Sequence, residues 1–180
     1  MKPLPLNLSM IAATMALFLA ALFLNELLFA RLEFAPGISW VYLPAGVRLL
    51  CTLLFAEAGA LGLLLVSWLV CFFYFFPNDP VRSLAGGILA SAAPYAIYRL
   101  ARHFFNLQAS LANLSARRLL YCALAFSVAS PGLHHLWFAL YEHRPELIRS
   151  FLAMALGDLF GTLIVLYIAK WLLGRQALPR

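Results

Sequence analysis

The sequence predicts an all-α fold: a polytopic integral membrane bundle of six transmembrane helices, one domain over residues 1–180, with both termini in the cytoplasm. Three observations lead there. The chain is 64% hydrophobic and 11% charged, with a mean hydropathy of +0.90, whereas roughly a quarter of a soluble domain is charged. Six segments approach the ~20 mostly apolar residues that cross a bilayer. The basic residues between them fall unevenly on the two faces.

The first segment, 8–30, follows Lys2 and closes at "RLEFAPG". Asn25 and Glu26 interrupt its far end and no small-residue cleavage site follows, so it reads as a retained helix rather than a signal peptide. Segments 38–56 and 58–77 are joined by the short "AEAG" and predict a tight antiparallel hairpin, closed by "FPNDP". Segment 83–101 leads into the longest connection, "RHFFNLQASLANLSARR", amphipathic enough to lie along the membrane surface. Segment 118–141 ends at "YEHRPE", and 150–173 completes the set.

Orientation follows from the positive residues. With the N-terminus inside, the cytoplasmic face receives Lys2, Arg99, Arg102, Arg117, Arg118, Lys170, Arg175 and Arg180. The outer face receives Arg31, Arg82, Arg144 and Arg149, together with the loop acids Glu33, Asp79, Glu142 and Glu146; Glu57 is the exception. This asymmetry predicts both ends in the cytoplasm of a bacterial inner membrane. The net charge of +6 reads as topology and contact with anionic membrane lipid, not as nucleic-acid binding. Cys51, Cys71 and Cys122 lie in apolar runs without a CxxC pair and read as small hydrophobes, with no disulfide and no metal site.

Charged groups within hydrocarbon cost a few kcal/mol each and mark function or a structural lock. Counted by helical rise, Arg48 lies about 15 Å past Ile38, Asp158 about 12 Å past Ser150, His135 about 9 Å from Tyr141 with His134 slightly deeper, and Glu26 about 6 Å from its helix end. These groups are expected on one level in the outer half. In "YLPAGVRLL", Pro44 and Gly46 loosen the helix before Arg48. A permanently charged guanidinium needs an anion: Asp158, Glu26 or a bound ligand. Two readings stand, a structural Arg48–Asp158 pair or a ligand cavity containing it. In "GDLFG", Gly157 and Gly161 form a small-xxx-small step that admits another helix backbone beside Asp158.

In "SPGLHHLWFALY", Pro131 and Gly132 predict a kink, and His134 and His135 point about 100° apart, too divergent for one metal. One of them is expected to hydrogen-bond a ligand or Asp158, while Trp137 and Tyr141 read as interface anchors. Tyr95, after Pro94, packs in the core or lines the same cavity. Ala12, Ala16 and Ala20 form a smooth ridge for internal packing or for another subunit. No GxSxG, HExxH or phosphate loop is present, so neither an enzyme nor a cofactor is expected.

"ISWVYLPAGVRLLCTLLFAEAGALGLLLVS" resembles the aromatic-x-x-proline-x-glycine opening of the bacterial membrane-associated sensor (MASE) domains. "GDLFGTLIVLY" resembles the Gly-Asp-x-x-Gly helix near the end of those domains, and the two stretches cover about a quarter of the chain. The resemblance implies a membrane domain feeding a cytoplasmic signalling output, usually with more helices. With the chain ending at Arg180, the signal is expected to pass to a separate protein partner. The six helices, the alanine spacing and the outward cavity are also similar to the substrate-binding components of energy-coupling-factor vitamin transporters. That likeness implies Ala12 and Ala16 at a coupling-subunit contact, and Tyr95, His135 and Asp158 around the vitamin. The expected function is therefore a ligand-binding or sensory module, in which a small molecule or ion shifts helix populations read by a partner. The alternatives are a vitamin-uptake component and a structural subunit of a membrane complex.

Overall fold

The computed structural model describes residues 4–35, 37–107, 115–142 and 146–176. Lys2, Arg144, Arg180, the side chain of Arg175 and residues 108–114 of the expected surface segment lie outside the described residues. Six α-helices run in the expected order: α1 (Leu4–Phe29), α2 (Leu43–Phe55), α3 (Glu57–Val70), α4 (Pro80–Phe105), α5 (Ala116–Trp137) and α6 (Leu147–Gln176). A short antiparallel hairpin, β1 (Glu33–Ala35) and β2 (Ile38–Ser39), joins α1 to α2. The helices α3 and α5 each run on into a π-helical turn, Cys71–Phe75 and Phe138–Glu142.

Four helical stretches are long and apolar enough to cross a membrane: Pro5–Leu32, Glu57–Phe75, Ala116–Glu142 and Leu147–Leu172. Their outer faces are apolar, with Phe23, Leu27, Phe73 and Ile148 among the most exposed side chains. In water such a surface would associate; it is the surface of a membrane protein. The other two helices differ. The 26-residue α4 carries Arg82, Arg99 and Arg102, and α2 has only 13 residues.

The expected helix over 38–56 is corrected at its start. Residues 38–39 pair with β1, Gly37 turns the hairpin at a φ of 80°, and α2 begins at Leu43. The reason is Pro44. In the first turn its missing N–H costs nothing, whereas inside a helix it would remove a bond. Pro44 therefore starts α2 instead of loosening it, and Arg48 lies five residues from the helix start, about 7 Å in.

Ten of the thirteen α2 residues are buried, and α2 packs against α1, α3, α4 and α6. The donors at the start of a helix lack intrahelical partners. Here Tyr42 N–H donates to Gly157 O of α6 at 3.1 Å and Leu43 N–H to Asn25 Oδ1 of α1 at 2.8 Å. The polar Asn25 thus caps a different helix from its own. Gly157 and Gly161 are also corrected in role. What they admit is chiefly the extended backbone leading into α2, since a Cβ on either would collide with the carbonyl of Ser39 or Tyr42. Gly46 then lets α2 lie against Gly161 O and Val165.

Ala12, Ala16 and Ala20 are exposed, while α1 buries Thr14, Phe18, Ala21, Leu22 and Asn25. The ridge is turned away from the bundle, so it serves no internal packing.

Two substitutions of the same kind should separate. Gly161→Ala should destabilise the protein by about 1–3 kcal/mol through overpacking. Gly132→Ala, with nothing within 4 Å of the added Cβ, should be neutral or stabilising by up to about 1 kcal/mol. Asn25→Ala, leaving a buried N–H unpaired, should cost about 1–3 kcal/mol. Thermal unfolding in detergent reads all three.

Candidate functional site

A cavity opens at the end of the bundle that carries the hairpin and the α3–α4 and α5–α6 connections. Its volume is about 60 Å³, several times the ~10–15 Å³ one water needs. Arg48 of α2, His134 of α5 and Met154 of α6 line it deeper in the bundle; Arg82, in the first turn of α4, and Glu142, closing the π-helical turn after α5, lie nearer the rim.

Arg48 is 6% exposed. Its Cζ lies 5.4 Å from the Phe18 ring centroid and 5.3 Å from that of Tyr42, contacts that favour a cation electrostatically. Its Nε is buried without a hydrogen-bond partner, and among the described residues no carboxylate reaches ion-pair distance. The expected direct Arg48–Asp158 pair is therefore not formed, nor is a pair with Glu26. The reason is placement: Arg48 faces the cavity, and Asp158 sits behind it.

Asp158 is 1% exposed, with neither oxygen hydrogen-bonded. It lies one helical turn past Met154, about 6 Å further along α6. The Ser130 hydroxyl is beside it and Arg48 is within electrostatic reach. Asp158 thus offsets the guanidinium charge from a distance without occupying its N–H fork.

The two histidines part company. His134 Nδ1 donates to Ser130 O at 2.8 Å. A carbonyl only accepts, so Nδ1 carries the proton and Nε2 remains available on a ring that lines the cavity. His135 is spent on packing. Its Nδ1 donates to Pro131 O at 2.9 Å, its Nε2 accepts from Ser150 Oγ at 2.8 Å, and its ring meets Phe138 and Phe151 edge-on.

At the rim, Arg82 Nε is 3.1 Å from Glu142 Oε1, an ion pair whose N–H does not point along the contact. Trp137 Nε1 donates to the same oxygen at 3.1 Å, and the Arg82 guanidinium covers the Phe76 ring at 3.9 Å. Sequence reasoning missed this rim. It treated Arg82 and Glu142 as topology markers, although opposite charges at two outer helix ends were the available signal.

Two expected residues lie elsewhere. Tyr95 is nine residues from the cavity-lining Gly86, hence about 13 Å along α4 and on its opposite face. It accepts from Arg99 Nη1 at 3.3 Å and lines a groove with Glu57 at the other end of the bundle. Glu26 lines a smaller crevice with Asn25 and Ser39, which shares Tyr42 and Ile38 with the main cavity. No family profile, characterised protein or solved structure matches the chain.

The arrangement offers one cation with free donors inside an apolar chamber, a second cation already paired, and one free ring nitrogen. His135→Ala should lower stability by about 1–3 kcal/mol. His134→Ala, which removes a half-buried ring bonded only within its own helix, should cost less than His135→Ala, both read by thermal unfolding.

Proposed function

We propose that this chain is a six-span protein of the bacterial inner membrane with both termini in the cytoplasm, acting as a sensory module. A small molecule binds in the outward cavity and a packing change passes to a partner protein. The observation that carries the reading is Arg48: a buried guanidinium without an acid partner among the described residues, facing a cavity. Asp158 offsets its charge only from a distance, so its buried N–H edge lacks a partner, at a cost of about 1–3 kcal/mol that a ligand can offset. The walls come from α2, α4, α5 and α6, so a ligand held by Arg48 against the other walls favours one arrangement of those helices over another. Both π-helical turns border the cavity, and such turns recur at functional sites.

Further support comes from the two motifs that resemble the MASE domains. The segment "YLPAG" and the glycines of "GDLFG" meet at the α2–α6 seam. The orientation is supported by the acids Glu33, Asp79, Glu142 and Glu146 at the cavity end and the basic majority at the other.

A second reading, a transport component docking on another membrane subunit, is favoured by the exposed ridge of Ala12, Ala16 and Ala20. The sensory reading expects a cytoplasmic signalling enzyme to copurify with the protein and expects no solute uptake. Copurification with a membrane coupling subunit, together with uptake, would establish transport instead. Small-molecule mass spectrometry of the purified protein should find a species retained by wild type and lost from Arg48→Met. For topology, cysteines placed at Asn78 and Asn106 in a Cys71→Ala background should label from outside and only after permeabilisation, respectively.

A further inference from the structure

The chemistry of the cavity narrows its ligand. Arg82 is paired with Glu142 at 3.1 Å, and Asp158 offsets Arg48 only from a distance, so Arg48 supplies a cation whose N–H edge is unoccupied. With rings of Phe18 and Tyr42 against it, the guanidinium offers its in-plane N–H groups. That fork matches the two oxygens of a planar carboxylate. The rest of the wall is largely apolar, including Phe75, Leu89, Phe138 and Met154, which suits a hydrocarbon stub rather than a fully hydrated inorganic anion.

Size and repulsion set the remaining limits. The space of about 60 Å³ holds roughly four to six non-hydrogen atoms, counting ~10–15 Å³ for each water-sized sphere. A second carboxylate on the ligand would face Glu142 and the lone pair on His134 Nε2. We infer that the cavity is a site for a monocarboxylate of about three or four carbons, its carboxylate on Arg48 and its carbon stub among the apolar walls. This rests on the reading of the cavity as a ligand site and adds the ligand class.

The test uses the full chain in nanodiscs, titrated at fixed ionic strength and followed by thermal unfolding. The probes are propionate, butyrate, succinate, inorganic phosphate, sulfate and dodecanoate. Propionate and butyrate should raise the midpoint saturably, with phosphate, sulfate and succinate at least about tenfold weaker. Arg48→Lys, which keeps the charge but loses the fork, should weaken propionate about tenfold. Leu89→Trp, which fills the cavity without altering the guanidinium, should abolish the shift and covers the case in which the Arg48 variant does not fold.

Phosphate or sulfate acting as well as propionate, and lost in Leu89→Trp, would overturn the carboxylate class while leaving the cavity a ligand site. Dodecanoate binding more tightly than butyrate would replace a compact dissolved acid by a membrane-derived acyl chain. A propionate shift unchanged in both variants would put binding elsewhere. No shift from any probe would remove the inference; the ligand-site reading would fall with it only if wild type also retained no Arg48-dependent molecule.

Discussion

The architecture depends on how an extended backbone is received inside an apolar bundle just before α2. Each backbone N–H buried there without a partner costs about 1–3 kcal/mol, and in a bilayer no water replaces it. Two helices answer. Gly157 of α6 offers a carbonyl to Tyr42, and Asn25 of α1 offers an amide oxygen to Leu43. The first contact requires the absence of side chains at Gly157 and Gly161, where the lead-in backbone lies against α6. One segment is thereby tied to both the first and the last helix, and the depth at which α2 begins is set.

That depth decides the electrostatics. Beginning at Leu43, α2 delivers Arg48 to the cavity wall within its second turn, against the rings of Phe18 and Tyr42. The two nearby acids then do different things. Glu142 at the rim is taken up by Arg82 and Trp137, while Asp158 stays a turn below the cavity beside Ser130. A charge held this way is stabilised by the field of Asp158 but keeps its hydrogen-bonding edge. Had α2 started at residue 38, the same arginine would sit elsewhere relative to both acids.

The order of the six helices was legible because each is an apolar run bounded by proline, glycine or charge, and those signals are local. The start of α2 was not. Pro44 fits either a kink or a first turn, and only the pairing of residues 38–39 with β1 chooses between them. Asn25 looked like an interruption because the donor it caps lies 18 residues away. Between core and cavity, Tyr95 stayed open because its proline-flanked position says nothing of rotation; nine residues turn it to the far side of α4 from Gly86, where it packs against the core. His134 and His135 were separable in direction but not in role, since the Ser150 hydroxyl that engages one of them belongs to another helix. Arg82 and Glu142 are ordinary loop charges until the folded chain brings two helix ends together.

The brevity of α2 has a consequence for the barrier itself. Thirteen residues make a rod of about 20 Å, against roughly 30 Å of hydrocarbon. Because this shortest rod is also the most enclosed one, the shortfall is not a defect at the lipid boundary. The residues ahead of α2 take its place, with Trp40 N–H donating to Leu32 O and Tyr42 N–H to Gly157 O, so that sheet and extended backbone continue where helix stops.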